Sequence, residues 1–166
     1  EKPLALTLAD CDRMIAACRT AGVKLMYAEA LCFTPKYVRL KQLLDEGALG
    51  RPYLVKQAEK HDGPHSPWFW DVARSGGGVT MDMGCHAVEF FRWMLGKAPG
   101  QAPWSGRQPH RHELPLRAPI VPLLKPKALS VLAEMGTFVH QDKTRGDDNA
   151  VLHIRFQTDE GEVLGM

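Results

Sequence analysis

The stretch SGGGVTMDMGCHAVEFFRW, residues 75–93, runs three glycines into an apolar segment carrying an aspartate and, four residues later, a histidine. It is either a phosphate-binding loop or the start of a buried helix. Glycine cradles for dinucleotides follow a strand and use a spacing such as G-x-G-x-x-G. Gly76-Gly77-Gly78 has neither, and it lacks the lysine of a P-loop. The glycines read as a turn that lets a helix begin close to neighbouring backbone. At about 100° per residue, Asp82, His86, Glu89 and Trp93 share one face of that helix. Met83, Ala87, Phe90 and Met94 form an apolar stripe beside it, and Gly96 closes it. Little of this helix seeks water, and Asp82 and His86 are costly to bury unless paired or placed at a cleft. An aspartate one turn from a histidine is either a satisfied structural pair or the orienting partner of a general base.

Working outward, Thr7 with Asp10 three positions on predicts a capping box for a helix carrying Leu8, Cys11, Met14, Ile15 and Cys18, ended by Gly22. VKLMYAEA (23–30) reads as a short buried strand. Thr34-Pro35 opens a second helix with Leu40, Leu43 and Leu44 inward. RPYLVKQAEKHDG (51–63) alternates like a strand, and ALSVLAEMGTFVH (128–140) and NAVLHIRFQTDEGEVLGM (149–166) read as strands, the last with a hairpin turn at Asp159-Glu160-Gly161. Residues 98–125 hold six of the twelve prolines and no periodicity, which predicts a disordered surface insertion. Strong hydrogen-exchange protection across that segment would contradict this.

The 166 residues suit one domain with a sizeable core. A net charge of +2 gives no reason to expect nucleic acid or an anionic membrane as partner. No apolar run approaches the roughly 18 residues of a membrane span, and no basic start followed by an apolar core and a small-residue cleavage site is seen, so secretion is not expected. Cys11, Cys18, Cys32 and Cys85 form no C-x-x-C, so core thiols in a reducing compartment, the cytoplasm, are expected. His61, Asp62 and His65, and His110 with His112, match no structural zinc spacing, and no metal site is expected. No G-x-S-x-G supports a hydrolase. Trp68-Phe69-Trp70 is either core packing or an apolar wall beside His61 and His65 for a polyhydroxylated ligand.

Three segments together carry a resemblance: EKPLALTLADCDRMIAACRTAGVKLM, PKYVRLKQLLDEGALGRPYLV and GGGVTMDMGCHAVEFFRWMLG. In this order they resemble the glucose–fructose oxidoreductase / inositol dehydrogenase (Gfo/Idh/MocA) family. The resemblance implies an α+β fold: a largely antiparallel open sheet with helices on one face, preceded by the tail end of a Rossmann domain. Residues 1–30 would be the end of the dinucleotide-binding domain. Residues 31–166 would be the substrate-binding and catalytic domain, incomplete at its C-terminus and carrying the 98–125 insertion. It further implies NAD or NADP as cofactor, with Glu1, Lys2 and Pro3 against it. Lys2, Asp82 and His86 become catalytic: His86 as acid/base for a substrate hydroxyl, Lys2 and Asp82 orienting and polarising it. His61, His65, Trp68 and Trp70 become substrate-binding, for a sugar, cyclitol or related hydroxy compound. The family's sheet implies a homo-oligomer. The glycine-rich dinucleotide loop that precedes E-K-P in the family is absent from these residues, and Glu89 stands where many members have aspartate. A non-catalytic oligomerisation or interaction module derived from the same family is the alternative, and a metal-dependent hydrolase a distant third.

Overall fold

The computed structural model describes residues 2–98, 100, 104 and 124–166. Glu1 and nearly all of the expected 98–125 insertion therefore lie outside the described residues. Among the described residues, four α-helices (α1 Leu8–Ala21, α2 Pro35–Asp45, α3 Val72–Ser75, α4 Cys85–Met94) and four strands (β1 Leu54–Val55, β2 Lys127–Gly136, β3 Asn149–Thr158, β4 Gly161–Gly165) make an α+β fold. The strands form one open sheet in the order β1-β4-β3-β2.

Contacts divide the chain into two units. The unit built from 31–57, 89–132 and 152–166 contains the apolar core. β3 and β4 pair antiparallel across the Asp159-Glu160 turn, setting Phe156 opposite Val163 and Ile154 opposite Gly165. Alternation then turns Ile154, Phe156 and Val163 inward and Arg155, Gln157 and Glu162 outward. Phe91 of α4 meets Phe156 with ring centres 6.3 Å apart, and Phe90 meets Tyr37 of α2 at 4.7 Å. Gly165 is needed here: a Cβ would lie 2.8 Å from the Phe91 ring. β1 joins β4 in parallel through Leu54–Leu164.

Two lysines are buried in this unit, each with its charge answered. The Lys41 ammonium donates to the Gly96 carbonyl beyond the end of α4 (2.7 Å) and pairs with Asp45. Burial pushes its pKa down, and the Asp45 carboxylate opposes that shift. Lys97 pairs with Asp159 and Glu160 of the β3–β4 turn and sits 4.1 Å from the centre of the Trp104 ring. Trp104 is fully buried and its backbone N–H donates to Glu160 (2.7 Å).

The other unit comprises 1–30, 58–88 and 133–151. α1 forms as its capping box requires: Thr7 Oγ1 accepts from the Asp10 N–H at 3.1 Å, and Gly22 ends the helix at φ +66°. Yet α1 buries no residue. The stretch 23–30, read from sequence as a short buried strand, enters no ladder among the described residues; Ala30 opens a 3-10 turn, and Val23, Leu25, Met26 and Tyr27 are exposed. An apolar run specifies burial without specifying a hydrogen-bonded neighbour, and the described residues offer it no strand to pair with. The expected strand over 51–63 likewise shortens to Leu54–Val55, with hydrogen bonds to the 161–166 stretch reaching from Tyr53 to Gln57.

Candidate active site

The helix announced by SGGGVTMDMGCHAVEFFRW does not begin as an ordinary α-helix. Thr80–Gly84 forms a π-helical turn, and the α-helical geometry of α4 starts only at Cys85. Such turns are uncommon and recur where a side chain must be re-aimed; here the turn contains Asp82.

The three glycines let this turn start. Added Cβ atoms at Gly76 and Gly77 would meet Leu6 and Met81 at 2.8 and 2.9 Å. At Gly78 a Cβ would overlap the backbone of Asp147. That close approach is used: the Asp147 carbonyl accepts the Val79 N–H (2.7 Å), and its carboxylate accepts from the Thr80 N–H (2.7 Å) and hydroxyl (2.6 Å). Asp147 therefore holds the first residues of the turn from a loop 67 positions away.

Asp148 organises the same loop. Its carboxylate accepts the N–H groups of Phe138, Val139 and His140 at 2.6–2.8 Å. Desolvation disfavours the charged carboxylate. The donors from Phe138, Asn149, His140 and Val139 outweigh it and hold its pKa far below the ordinary 3.8. A depressed carboxyl stabilises the fold above its unfolded pKa and loses that contribution as pH falls. Asp148→Asn should therefore lower the urea midpoint at neutral pH, with the gap to wild type closing below about pH 4. A gap unchanged down to about pH 2 would contradict this role.

The turn brings together residues distant in sequence. Lys2 Nζ lies 2.5 Å from Asp82 Oδ1 and donates also to the Asp82 carbonyl at 2.6 Å, across 80 positions. His86 Nδ1 lies 2.5 Å from Glu29 Oε1. The Cys85 thiol is half-buried between these pairs. Burial pushes its pKa up, the Lys2 charge pulls it down, and Glu29 and Asp82 add to the rise. Glu29 was not singled out in the sequence. A carboxylate inside an apolar run is a signal that it needs a partner, but nothing local says which.

A cavity of about 320 Å³ opens beside Asp82, lined also by Glu59, His61, Trp70, His140 and Asp147. Its wall is built by stacking: the His140 ring meets Trp70 edge-on at 4.9 Å, and a Cβ at Gly63 would lie 3.0 Å from the Trp70 ring. Of the residues expected to hold substrate, His61 and Trp70 line the cavity. His65 stacks on His61 with centroids 6.3 Å apart, and Trp68 lies on Phe69 at 3.9 Å; neither lines it. Lys2 and His86 are likewise not among the lining residues, and Pro3 follows Lys2 at the start of the chain. Among the described residues no group of three metal-ligating side chains converges, and no helix is long and apolar enough to cross a membrane.

Comparison with known proteins gives this geometry a context. Residues 37–161 match the family model described as the GFO/IDH/MocA C-terminal domain. Over 97 residues the chain is 32% identical to myo-inositol 2-dehydrogenase of Thermotoga maritima, which covers 58% of this chain and 28% of that protein. The structure of GenD2 from gentamicin A biosynthesis, in complex with NAD, superposes with a TM-score of 0.70 at 29% identity, covering 99% of this chain and 38% of the other. Aldose-aldose oxidoreductase from Caulobacter crescentus, complexed with glycerol, gives 0.66 at 26% identity, with coverages of 99% and 40%. The chain thus spans well under half the length of each protein it matches.

Proposed function

Because the chain belongs to the GFO/IDH/MocA family, we propose that it is the substrate-binding and proton-transfer portion of an NAD(P)-dependent oxidoreductase acting on a sugar, cyclitol or related hydroxy compound. The observation that carries this reading is the Lys2–Asp82 pair, formed across 80 positions on the turn that leads into His86 and bordering the Trp70 cavity. Relatives named for work on inositol and aldoses, one of them bound to glycerol, support a polyhydroxylated substrate.

The glycine triplet does not fit the dinucleotide's phosphates. The space at Gly76–Gly78, where a glycine cradle would need room, is filled by Leu6, Met81 and Asp147. This reading therefore assigns the dinucleotide to protein outside residues 1–166, which the 28% coverage of the inositol dehydrogenase accommodates. Isothermal calorimetry of the 166-residue chain with NAD and NADP should give no binding in the micromolar range; tight, stoichiometric heat would overturn the assignment.

When bound, the nicotinamide supplies the hydride chemistry, and the residues of this chain handle the proton. The substrate's ring faces rest on Trp70, with its hydroxyls toward Glu59, His61 and His140. His86 takes the proton from the reacting hydroxyl during oxidation and returns it during reduction, a role for which neutral imidazole is suited. The Lys2 ammonium stabilises negative charge developing on that oxygen. Asp82 holds Lys2 in place through its carboxylate and its carbonyl. Adding a simple cyclitol, myo-inositol, to the ¹⁵N-labelled chain should shift the resonances of Trp70, Asp82 and His140 together. Shifts confined to other surfaces would remove the cavity from the account.

One observation favours a second reading, an oligomerisation module without catalysis. β2 is an edge strand, exposed along nearly its whole length, with Val131, Leu132 and Met135 more than half accessible. Homo-oligomerisation through the sheet is part of both readings. They separate on turnover: the module reading requires none from the full-length protein.

A further inference from the structure

We infer that Glu29 is a positioning residue that sets the tautomer of His86, directing the unprotonated Nε2 toward the substrate hydroxyl. The inference rests on the reading of His86 as the acid/base.

A carboxylate offers only acceptors, so a contact of 2.5 Å between Glu29 Oε1 and His86 Nδ1 requires the hydrogen to be on Nδ1. In a neutral ring that leaves Nε2 with its lone pair. The contact occupies Nδ1, and the side chain retains 16% exposure. Glu29 itself is 5% exposed and comes from the segment before α2, not from the histidine's own helix. A buried carboxylate is costly and is not placed against a histidine from 57 residues away by helix geometry alone. Cys85 precedes the histidine in sequence, and the Lys2–Asp82 pair lies one turn earlier on the same segment. Lys2 and Asp82 satisfy one another, which leaves Glu29 as the group whose contact decides where the imidazole hydrogen sits. A base that must accept a proton at Nε2 needs this arrangement; with the hydrogen on Nε2 it can only donate.

The test reads the hydrogen directly. In the 166-residue chain with ¹⁵N-labelled histidine, long-range ¹H–¹⁵N correlation at alkaline pH should show His86 as the Nδ1–H tautomer. In Glu29→Met, which keeps length and removes the acceptor, it should move toward the Nε2–H form that predominates in free histidine. Glu29→Gln, which can still accept through its amide oxygen, should lie between them. In the full-length protein, Glu29→Met should lower kcat by about 10²-fold with KM changed little, as orienting partners of functional histidines do, and Glu29→Gln should recover part of it. A wild-type ring with the hydrogen on Nε2 overturns the inference without any variant, so it stands or falls even if Glu29→Met does not fold. Unchanged kcat in Glu29→Met, while His86→Ala is inactive, overturns the inference and leaves the acid/base reading intact. Full activity in His86→Ala overturns that reading instead.

Discussion

His86→Ala in the full-length protein should lose about 10²–10⁴ in kcat, the range expected when a positioned acid/base is removed, while the variant still unfolds cooperatively. Lys2→Ala should lose a comparable factor for a different reason. Its ammonium stabilises charge on the reacting oxygen, and withdrawing one preorganised donor of that kind costs about 10²–10³. The two variants are distinguishable. Without the base, rate should recover partly with exogenous imidazole; without the ammonium it should not. Lys2→Ala also leaves the Asp82 carboxylate, only 20% exposed, without the partner it holds at 2.5 Å. Asp82 should then shift, so its resonance and those of Trp70 and His140 along the cavity should change together. Losses of less than about threefold in both variants would mean that the Lys2–Asp82 contact is structural and that the chemistry lies elsewhere.

Gly78→Ala should be the most disruptive single methyl in the chain. Elsewhere in the triplet an added Cβ meets side-chain atoms, Leu6 Cδ2 and Met81 Cβ. At Gly78 it meets backbone, the Asp147 carbonyl and N–H, and those atoms cannot swing aside. The cost belongs at the upper end of the roughly 1–3 kcal/mol of overpacking, or a fall in Tm of about 6–12 °C for a chain of this size. The same push would break the bonds from Val79 and Thr80 to Asp147 that start the π turn. Misplacing Asp82 and His86 by an ångström would cost turnover of about 10²-fold even in the molecules that remain folded. Gly77→Ala, whose added methyl faces only the Met81 side chain, is the matched control and should cost less than half as much. Equal effects from the two would indicate that backbone approach to Asp147 is not what the glycine serves.

Local chemistry made part of this site legible. Thr7, Asp10 and Gly22 specify α1 through bonds to their own neighbours, and the periodicity of Phe90, Phe91 and Met94 specifies a buried helix. The β3–β4 hairpin follows from alternation on both sides of Asp159-Glu160-Gly161. Lys2, Asp82 and His86 came into one view only through resemblance to a family, because an 80-residue separation leaves no local trace. What stayed hidden has a common cause. The N–H groups of Val79 and Thr80, where the π turn begins, are met by Asp147 from a distant loop. Glu29 looks like a stray charge in an apolar stretch until His86 is set against it. The apolar stretch 23–30 looked buried because hydrophobicity reports a preference for cover and is silent on what supplies it. Trp104 lies in a proline-rich stretch without periodicity, and only the Lys97 and Glu160 contacts show it to be part of a core.

The central claim is that this chain moves the proton for a hydride transfer at the carbon whose hydroxyl His86 faces. It is tested most directly by following that hydride. Incubating the full-length protein with NAD or NADP and a polyol deuterated at its carbinol carbons, then weighing the dinucleotide by mass spectrometry, should show one deuterium gained per turnover, and none with His86→Ala. Turnover that leaves the dinucleotide unlabelled, or label that appears equally without His86, would contradict it.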